Sequence, residues 1–200
     1  RIYMITDFIC EDYPRHKEWY FTKQLPAIVG DERNILFARN PRNSNEIISM
    51  ACLKKDNEEQ KICTLYVSDK CRGLGIGTSI IEESMKWLGT TKPLITLADY
   101  KLDMFRPIIE KYDWQLTEIV SGLYNDRSEE LCFNGTLTKS NDISPEKQLQ
   151  KRLIKALNNG IGSIVIPAFG GCCGRVDYAV IADLMKEAYD QIMKAPFRLT

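Results

Sequence analysis

The chain has 200 residues, 44% of them hydrophobic, which is enough for one domain, or one domain with an appendage, around a packed core. Lysine plus arginine and aspartate plus glutamate both number 27, which argues against a general electrostatic attraction to nucleic acid or to a membrane surface. No apolar run approaches the roughly 20 residues of a membrane span, and no signal-like segment opens the sequence. We therefore expect a cytoplasmic protein without a nucleic-acid or membrane partner.

The sequence pattern in the first half of the chain predicts several strands and one helix. Residues 1–10 have the pattern of a strand, and residues 13–29 that of a helix ended or bent by Pro26. A hairpin and a further strand follow, with a turn rich in Asn, Pro and Ser between the hairpin strands. The predicted ranges are 35–38 and 46–54 for the hairpin strands, 40–45 for their turn, 56–60 for a charged turn and 61–67 for the third strand.

Residues 72–77, Arg-Gly-Leu-Gly-Ile-Gly, form a glycine-rich turn between that third strand and a helix. Glycines let backbone N–H groups approach an anion, and a helix N-terminus adds partial positive charge, so the pattern predicts a phosphate cradle. It is not a P-loop, because no lysine follows Gly77. It is not the dinucleotide fingerprint either, because the glycines fall as G-x-G-x-G.

The second half alternates helices and strands. The helix after the glycine turn places Ile80, Ile81, Met85 and Leu88 on one face and stops at Gly89. Later elements are a strand at 93–98, a helix at 103–112 with Pro107 expected in its first turn, and two strands at 115–124 and 130–137.

The glycine turn and its strand match a known pattern. Arg72, Gly75 and Gly77 fit Arg/Gln-x-x-Gly-x-Gly/Ala, and Leu65 and Val67 fit the Leu-x-Val strand upstream of it. This resembles the acetyl-CoA motif of the GNAT family, the GCN5-related N-acetyltransferases. The order β-α-β-β-β-loop-α-β-α-β-β over residues 1–138 is similar to that of the family.

The resemblance implies an α/β (α+β) fold with a mixed, mostly antiparallel sheet flanked by helices. It implies transfer of an acetyl group from acetyl-CoA, without a metal, to a primary amine on a small molecule or peptide by direct attack. The pantetheine arm would pair with the backbone of Leu65, Tyr66 and Val67. The pyrophosphate would lie on the N–H groups of Arg72, Gly73, Leu74, Gly75, Ile76 and Gly77, with Thr78 at the helix start.

The general acid and base are not identified by this resemblance. Family members often place a glutamate on the strand before the loop, but residues 61–67 contain no carboxylate. Many family members also have a tyrosine that protonates the leaving thiolate, five residues before the aromatic residue of a Gly-Phe pair. In this chain Asp113-Trp114 replaces that pair, and the position of the tyrosine is occupied by Ile109. The remaining candidates are Glu59, which would act through water, Tyr112, Tyr100 and Tyr124. A non-catalytic module that binds acyl-CoA or an ADP-ribose-type nucleotide is the alternative function.

The seven cysteines and one histidine predict no disulfide framework and no metal site. The cysteine number is odd, no C-x-x-C pair occurs, and His16 has no ligand spacing to a cysteine. We expect free thiols, with Cys63 packing as a small apolar side chain. His16 lies in a polar run and is expected at the surface.

The last third of the chain is a predicted appendage. Residues 139–144 form a polar linker, and residues 145–200 a helix-strand-helix unit with a second glycine loop at 170–174. Residues 145–195 resemble the C-terminal part of a macro domain, the ADP-ribose-binding module. Three interpretations stay open: a remnant that packs on the first domain and gives a homodimer, half of a longer module, and a convergent unit.

Overall fold

The structure, a computed structural model, describes residues 3–125 and 127–137, together with 151, 153–155, 158–159, 183, 186 and 190. Within these residues, six strands form one sheet in the order β1-β2-β3-β4-β6-β5. Only the β3–β4 pair is parallel, which confirms the predicted mixed, mostly antiparallel sheet. The strands are β1 Arg33–Asn40, β2 Asn43–Lys55, β3 Gln60–Val67, β4 Leu94–Ala98, β5 Leu116–Ser121 and β6 Glu129–Phe133.

Within the described part of residues 3–137, three α-helices and several shorter helical turns flank this sheet. The α-helices are α1 His16–Trp19, α2 Ile76–Leu88 and α3 Leu102–Lys111. Helix α1 continues into a π-helical turn and a 3-10 turn that begins at Pro26, so the predicted helical segment ends near that proline as expected. The shorter elements are Tyr3–Glu11, Tyr20–Gln24, Pro26–Ile28, Asp69–Cys71 and Asp99–Lys101. None of the helices within the described residues has both the length and the apolar character of a membrane span.

The main hydrophobic core lies between the sheet and helices α2 and α3. Because an α-helix repeats every 3.6 residues, the apolar residues of α2 share one face, and the predicted set is buried there. The helix ends at Gly89, whose φ of 76° is a left-handed conformation that favours glycine. The α2 residues in this core are Ile80, Ile81, Met85 and Leu88; the sheet contributes among others Ile62, Leu97, Leu131 and Phe133.

The opposite face of the sheet carries a smaller core beneath residues 3–29. Side chains alternate along a strand, so Ala51 and Leu53 of β2 join the main core while Met50 and Cys52 point to the other face. Tyr20 covers them and is only 3% exposed. The N-terminal segment therefore acts as the second layer over the sheet.

The predicted strand at residues 1–10 is wrong, because residues 3–11 form a 3-10 helix. Side chains three residues apart eclipse in a 3-10 helix, which puts Tyr3 and Thr6 on one side. The Thr6 hydroxyl donates to the Tyr3 carbonyl at 3.0 Å, and Thr6 is fully buried. The apolar residues of this segment resemble a strand in sequence, but the positions that face the protein repeat every three residues, as in a 3-10 helix.

The prediction that His16 lies at the surface is also wrong, since the ring is only 6% exposed. It stacks between Tyr3 and Trp19, with ring centroids 5.9 and 5.5 Å away, and its Nε2 lies 3.1 Å from the Thr6 hydroxyl. Burial lowers the pKa of His16, so the neutral ring is the stable form in the folded protein.

Pro107 is the sixth residue of α3 rather than part of its first turn. The helix begins at Leu102, which is 2% exposed, and one face of the helix carries Leu102, Phe105 and Ile109 toward the main core. Because proline has no N–H, one hydrogen bond of the helix is lost at this position. The packing of this apolar face outweighs the local preference of the proline.

Part of the predicted appendage is described. Leu153 and Ile154 are helical, in agreement with the first helix of the predicted helix-strand-helix unit, and both are buried in the main core. The Asn158 side chain donates to the Leu116 carbonyl at 2.8 Å, which ties this segment to β5. The predicted linker at 139–144, the strand of the predicted helix-strand-helix unit and the glycine loop at 170–174 lie outside the described residues.

Candidate active site

The two central strands of the sheet separate after a short contact. Within the described residues only two pairs join β3 to β4, ending with Ile62 opposite Ile95, although β3 continues to Val67 and β4 to Ala98. The strands part beside a β-bulge, because the register of β3 on β2 skips Cys63. We call the gap between residues 63–67 and 96–98 the wedge. Its β3 edge offers backbone groups to an extended ligand.

The glycine loop, residues 72–77, connects β3 to α2 through the turn Asp69–Cys71. Gly73 and Gly75 have φ angles of 75° and 79°, and a Cβ added at either would meet no atom within 4 Å. This left-handed conformation favours glycine, and the space beside both residues is open. A Cβ on Gly77 would lie 3.6 Å from the Val67 side chain, so the loop returns to the end of β3 at the wedge.

The loop and the first turn of α2 carry free backbone donors. The first N–H groups of a helix have no intrahelical acceptor, and within the described residues those of 73–78 donate to no protein atom. They point to the same end of α2 as its positive dipole. Arg72 pairs with the exposed Asp69 at 2.8 Å, which leaves the backbone as the main anion-binding feature of the loop.

The structure places Glu59 and Tyr112 away from the wedge. Glu59 precedes β3, whose eight residues span roughly 25 Å to the loop end, and its carboxylate pairs with Lys54 at 2.7 Å. The Tyr112 hydroxyl donates to Glu82, on the side of α2 that faces α3. Both contacts give these residues structural roles. Tyr100 is 59% exposed and lies in the turn after β4.

Cys63 lies at the bulge but packs as a small apolar side chain in the second core, as predicted. Burial raises the pKa of its thiol, which disfavours the nucleophilic thiolate. The five cysteines of the described residues, namely Cys10, Cys52, Cys63, Cys71 and Cys132, are free thiols. In the same part of the chain, no three His, Cys, Asp or Glu side chains group as metal ligands.

A buried carboxylate lies on the face of the wedge opposite α2. Glu130 of β6 is only 4% exposed, and the Tyr13 hydroxyl donates to its two oxygens at 3.3 and 3.4 Å. Burial raises the pKa of Glu130, although hydrogen bonds from Thr96 and Tyr13 partly oppose that shift. Thr96 also hydrogen-bonds Tyr124, whose ring meets that of Tyr13 edge-on at 4.8 Å. We call these four residues the Glu130 cluster.

Burial and the negative charge of Glu130 also act on the two tyrosines. They raise the pKa of Tyr124 to about 12 and the pKa of Tyr13 still further. Both phenols are therefore protonated at neutral pH and serve as hydrogen-bond donors.

Sequence reasoning missed Glu130 and Tyr13 and gave Tyr124 only as an outlying candidate. A signal for Glu130 was present. In the strand Glu129–Phe133, Leu131 and Phe133 alternate with Glu130 and Cys132, so the pattern placed a carboxylate on a face of the sheet. Tyr13 had no comparable signal, because its contact with Glu130 spans 117 positions of sequence.

The sequence matches the family model "Acetyltransferase (GNAT) family" over residues 2–97. No curated protein matches it significantly. None of the comparisons relates residues 145–195 to a macro domain.

Several solved structures are similar to the chain. Nourseothricin acetyltransferase has 11% identity and a TM-score of 0.46; the match covers 51% of this chain and 64% of that one, so the chain spans less than two thirds of that relative. A protein of Bacillus anthracis described as a streptothricin acetyltransferase, in complex with acetyl coenzyme A, has 19% identity, coverages of 56% and 67%, and a TM-score of 0.46. NAA60 of Arabidopsis thaliana with a bisubstrate analogue has 16% identity, coverages of 62% and 91%, and a TM-score of 0.45.

Proposed function

Residues 2–97 of this chain belong to the acetyltransferase (GNAT) family, and on that premise we propose that the protein transfers an acetyl group from acetyl-CoA to a primary amine. The observation that carries the proposal is the position of the wedge beside the glycine loop. The wedge offers unpaired strand backbone, and the glycine loop offers N–H donors at a helix N-terminus. The two are neighbours, because a Cβ built on Gly77 would lie only 3.6 Å from the Val67 side chain.

In the proposed complex, the pantetheine arm adds to the free edge of β3 at Leu65, Tyr66 and Val67. The pyrophosphate lies on the N–H groups of residues 73–77, since the predicted Arg72 N–H instead donates to the Asp69 carbonyl at 3.3 Å. The Thr78 N–H and hydroxyl are available at the start of α2. This directs the thioester along the wedge toward Thr96 and the Glu130 cluster. The acetyl carbonyl then lies beside backbone N–H groups of β3, which stabilise negative charge on its oxygen during attack.

Acetyl transfer needs a base for the ammonium proton and precise approach of the two substrates. Residues 61–67 of the cofactor strand supply no carboxylate. The described carboxylate beside the opening of the wedge is instead Glu130, which contacts Thr96. This arrangement favours an enzyme over the alternative of a non-catalytic acyl-CoA-binding module.

The experiment has two parts. Calorimetry measures acetyl-CoA binding to the purified chain, and release of free CoA thiol is then followed with a panel of primary amines and peptides with free α-amino groups. We expect binding and amine-dependent thiol release. Binding without any release would support the non-catalytic module, whereas no binding at millimolar acetyl-CoA would refute both functions.

A further inference from the structure

No cation among the described residues pairs directly with the buried Glu130 carboxylate. Within the described part of the chain, no lysine or arginine nitrogen lies within 4.0 Å of it. Its hydrogen-bond donors, Tyr13 and Thr96, are both neutral. A buried charge without a partner is costly, so a carboxylate kept in such a place is better explained by a bound cation than by its contribution to stability.

The position of Glu130 on the sheet relates it to the wedge. The last β3–β4 pair is Ile62 with Ile95, so Thr96 is the first residue of β4 inside the wedge. On the other side of β4, Ala98 pairs with Glu130. Both Glu130 and Tyr124 hydrogen-bond Thr96, which places the carboxylate and one phenol beside the opening.

The cluster is fixed from two distant parts of the chain. Lys101 pairs with the Asp12 carboxylate at 2.6 Å, and the Asn125 side chain donates to the Asp12 carbonyl at 2.9 Å. These contacts hold Tyr13 and Tyr124, the neighbours of Asp12 and Asn125, on the same side of Glu130. The site is thus organised before any ligand binds, which lowers the cost of binding.

We propose that Glu130, flanked by the Tyr13 and Tyr124 rings, is the acceptor site, where its carboxylate binds the ammonium group of the acceptor and removes its proton. This inference rests on the proposed acetyl transfer. The Tyr124 ring adds a cation–π surface for this ammonium, whereas the Tyr13 ring already faces the Lys101 ammonium, whose Nζ lies 5.5 Å from the ring centroid. The ammonium supplies the positive charge that the Glu130 carboxylate lacks within ion-pair distance, since Lys61 and Lys101 lie nearby without contacting it.

The reaction is balanced with these groups. The acceptor ammonium gives one proton to a Glu130 oxygen, and the nitrogen lone pair forms the C–N bond to the thioester carbonyl. The C–S bond then breaks, and the CoA thiolate leaves. The second nitrogen proton passes to that thiolate, and Glu130 returns its proton to solvent. The raised pKa of Glu130 brings its basicity closer to neutral pH than that of an ordinary glutamate.

Nearby charges restrict the acceptor class. Lys61 of β3 and Lys101 lie close enough to lower the pKa of Glu130, but neither reaches its carboxylate. A second positive charge on the acceptor would meet both lysines, so we expect one ammonium on a neutral or anionic body. The titratable groups that face Glu130 are Tyr13, Lys61, Tyr100, Lys101, Tyr124 and Cys132.

The test measures ammonium binding without acetyl transfer. The full chain is labelled with 13C at the glutamate side-chain carboxyl, and Glu130→Gln identifies the Glu130 signal by its loss. Butylammonium, butanol and butane-1,4-diammonium are titrated separately at constant ionic strength. We expect a saturable shift of the Glu130 signal with butylammonium, no shift with butanol, and no tighter binding of the diammonium. If the chemical shift of Glu130 does not change with butylammonium, or changes equally with butanol, the inference is wrong.

Kinetics of the same variants separate this inference from the proposed function. Glu118→Gln is the matched control, because Glu118 is 2% exposed and lies on β5, two strands from β4. We expect Glu130→Gln to keep the acetyl-CoA affinity of the wild type and to lose at least about 100-fold in amine turnover, whereas Glu118→Gln keeps both.

Each other outcome has a distinct meaning. Turnover of Glu130→Gln within threefold of wild type would refute the acceptor role and leave the transferase intact. If acetyl-CoA does not bind the wild type, the proposed function is refuted. The acceptor role is then refuted as well, even if butylammonium shifts the Glu130 signal. Activity that rises with pH in the wild type and loses this dependence in Glu130→Gln would support proton removal by Glu130.

Discussion

Replacing Gly75 with aspartate is expected to weaken acetyl-CoA binding at the phosphate cradle strongly without unfolding the loop. Gly75 is the residue before α2, with φ 79° and ψ −4°, and a Cβ there meets no atom within 4 Å. The substitution therefore costs about 1 kcal/mol of left-handed strain, which Asp tolerates better than most residues. A carboxylate at the N-terminus of a helix also interacts favourably with the helix dipole, which offsets part of this cost.

The expected loss of binding follows from charge. A carboxylate about 5 Å from one phosphate, at an effective dielectric constant of about 20, is repelled by roughly 3 kcal/mol. That energy corresponds to a loss of roughly 100-fold in acetyl-CoA affinity. Gly75→Asn has the same shape without the charge, so it should lose much less.

Gly89→Asp is the matched control for backbone strain. Gly89 ends α2 with φ 76°, and a Cβ there would lie 3.6 Å from Lys55 Nζ, far along the helix from the loop. Calorimetry with acetyl-CoA gives the affinities, and circular dichroism checks the fold. If folded Gly75→Asp binds acetyl-CoA within threefold of wild type, or if Gly89→Asp loses as much, the reasoning about the loop is incorrect.

Three further predictions concern stability. Because the pKa of Glu130 is raised in the folded protein, its ionised form opposes folding. Urea denaturation at pH 8 should therefore show Glu130→Gln to be at least as stable as the wild type. A decrease of more than about 1 kcal/mol in the free energy of unfolding would contradict this. Because the pKa of His16 is lowered in the folded protein, its contribution to the free energy of unfolding is complete above about pH 6.5 and falls as the pH decreases below that value. In His16→Gln, the free energy of unfolding should depend less steeply on pH in this range. An unchanged pH dependence would refute the assignment. Ile154→Ala should cost about 2–4 kcal/mol, whereas the exposed Lys155→Ala should cost little; equal effects would contradict the packing of Ile154 in the main core.

The sheet and α2 could be predicted from the sequence because local signals determine them. The glycine loop has a required backbone conformation at Gly73 and Gly75, and the apolar face of α2 repeats with helical period up to Gly89. Each of these features depends on neighbouring residues. The sequence alone therefore predicted the glycine loop, the strand before it and the family resemblance.

The errors fall where distant contacts decide the structure. Tyr3 and Thr6 form a 3-10 helix because they pack against His16, and His16 is buried by these same partners. Pro107 is tolerated within α3 because the apolar face of that helix joins the main core. Such contacts cannot be read from local patterns, since propensity yields to packing.

The acceptor side shows the same limit. The alternation in β6 indicated which face of the sheet Glu130 would occupy, but only the fold brings Tyr13 from the N-terminal segment and Tyr124 from the β5–β6 connection to that carboxylate. The missing glutamate on β3 was a correct observation from sequence. Its consequence, a carboxylate provided by another strand, required the sheet order.

The central claim is that acetyl-CoA occupies the wedge and the glycine loop together. Amide hydrogen exchange, measured with and without saturating acetyl-CoA, tests it most directly, because both regions bind through backbone N–H groups. We predict slower exchange in peptides covering residues 64–67 and 73–78, with little change in β1. Slower exchange confined to another part of the chain, or none at saturating ligand, would contradict the account.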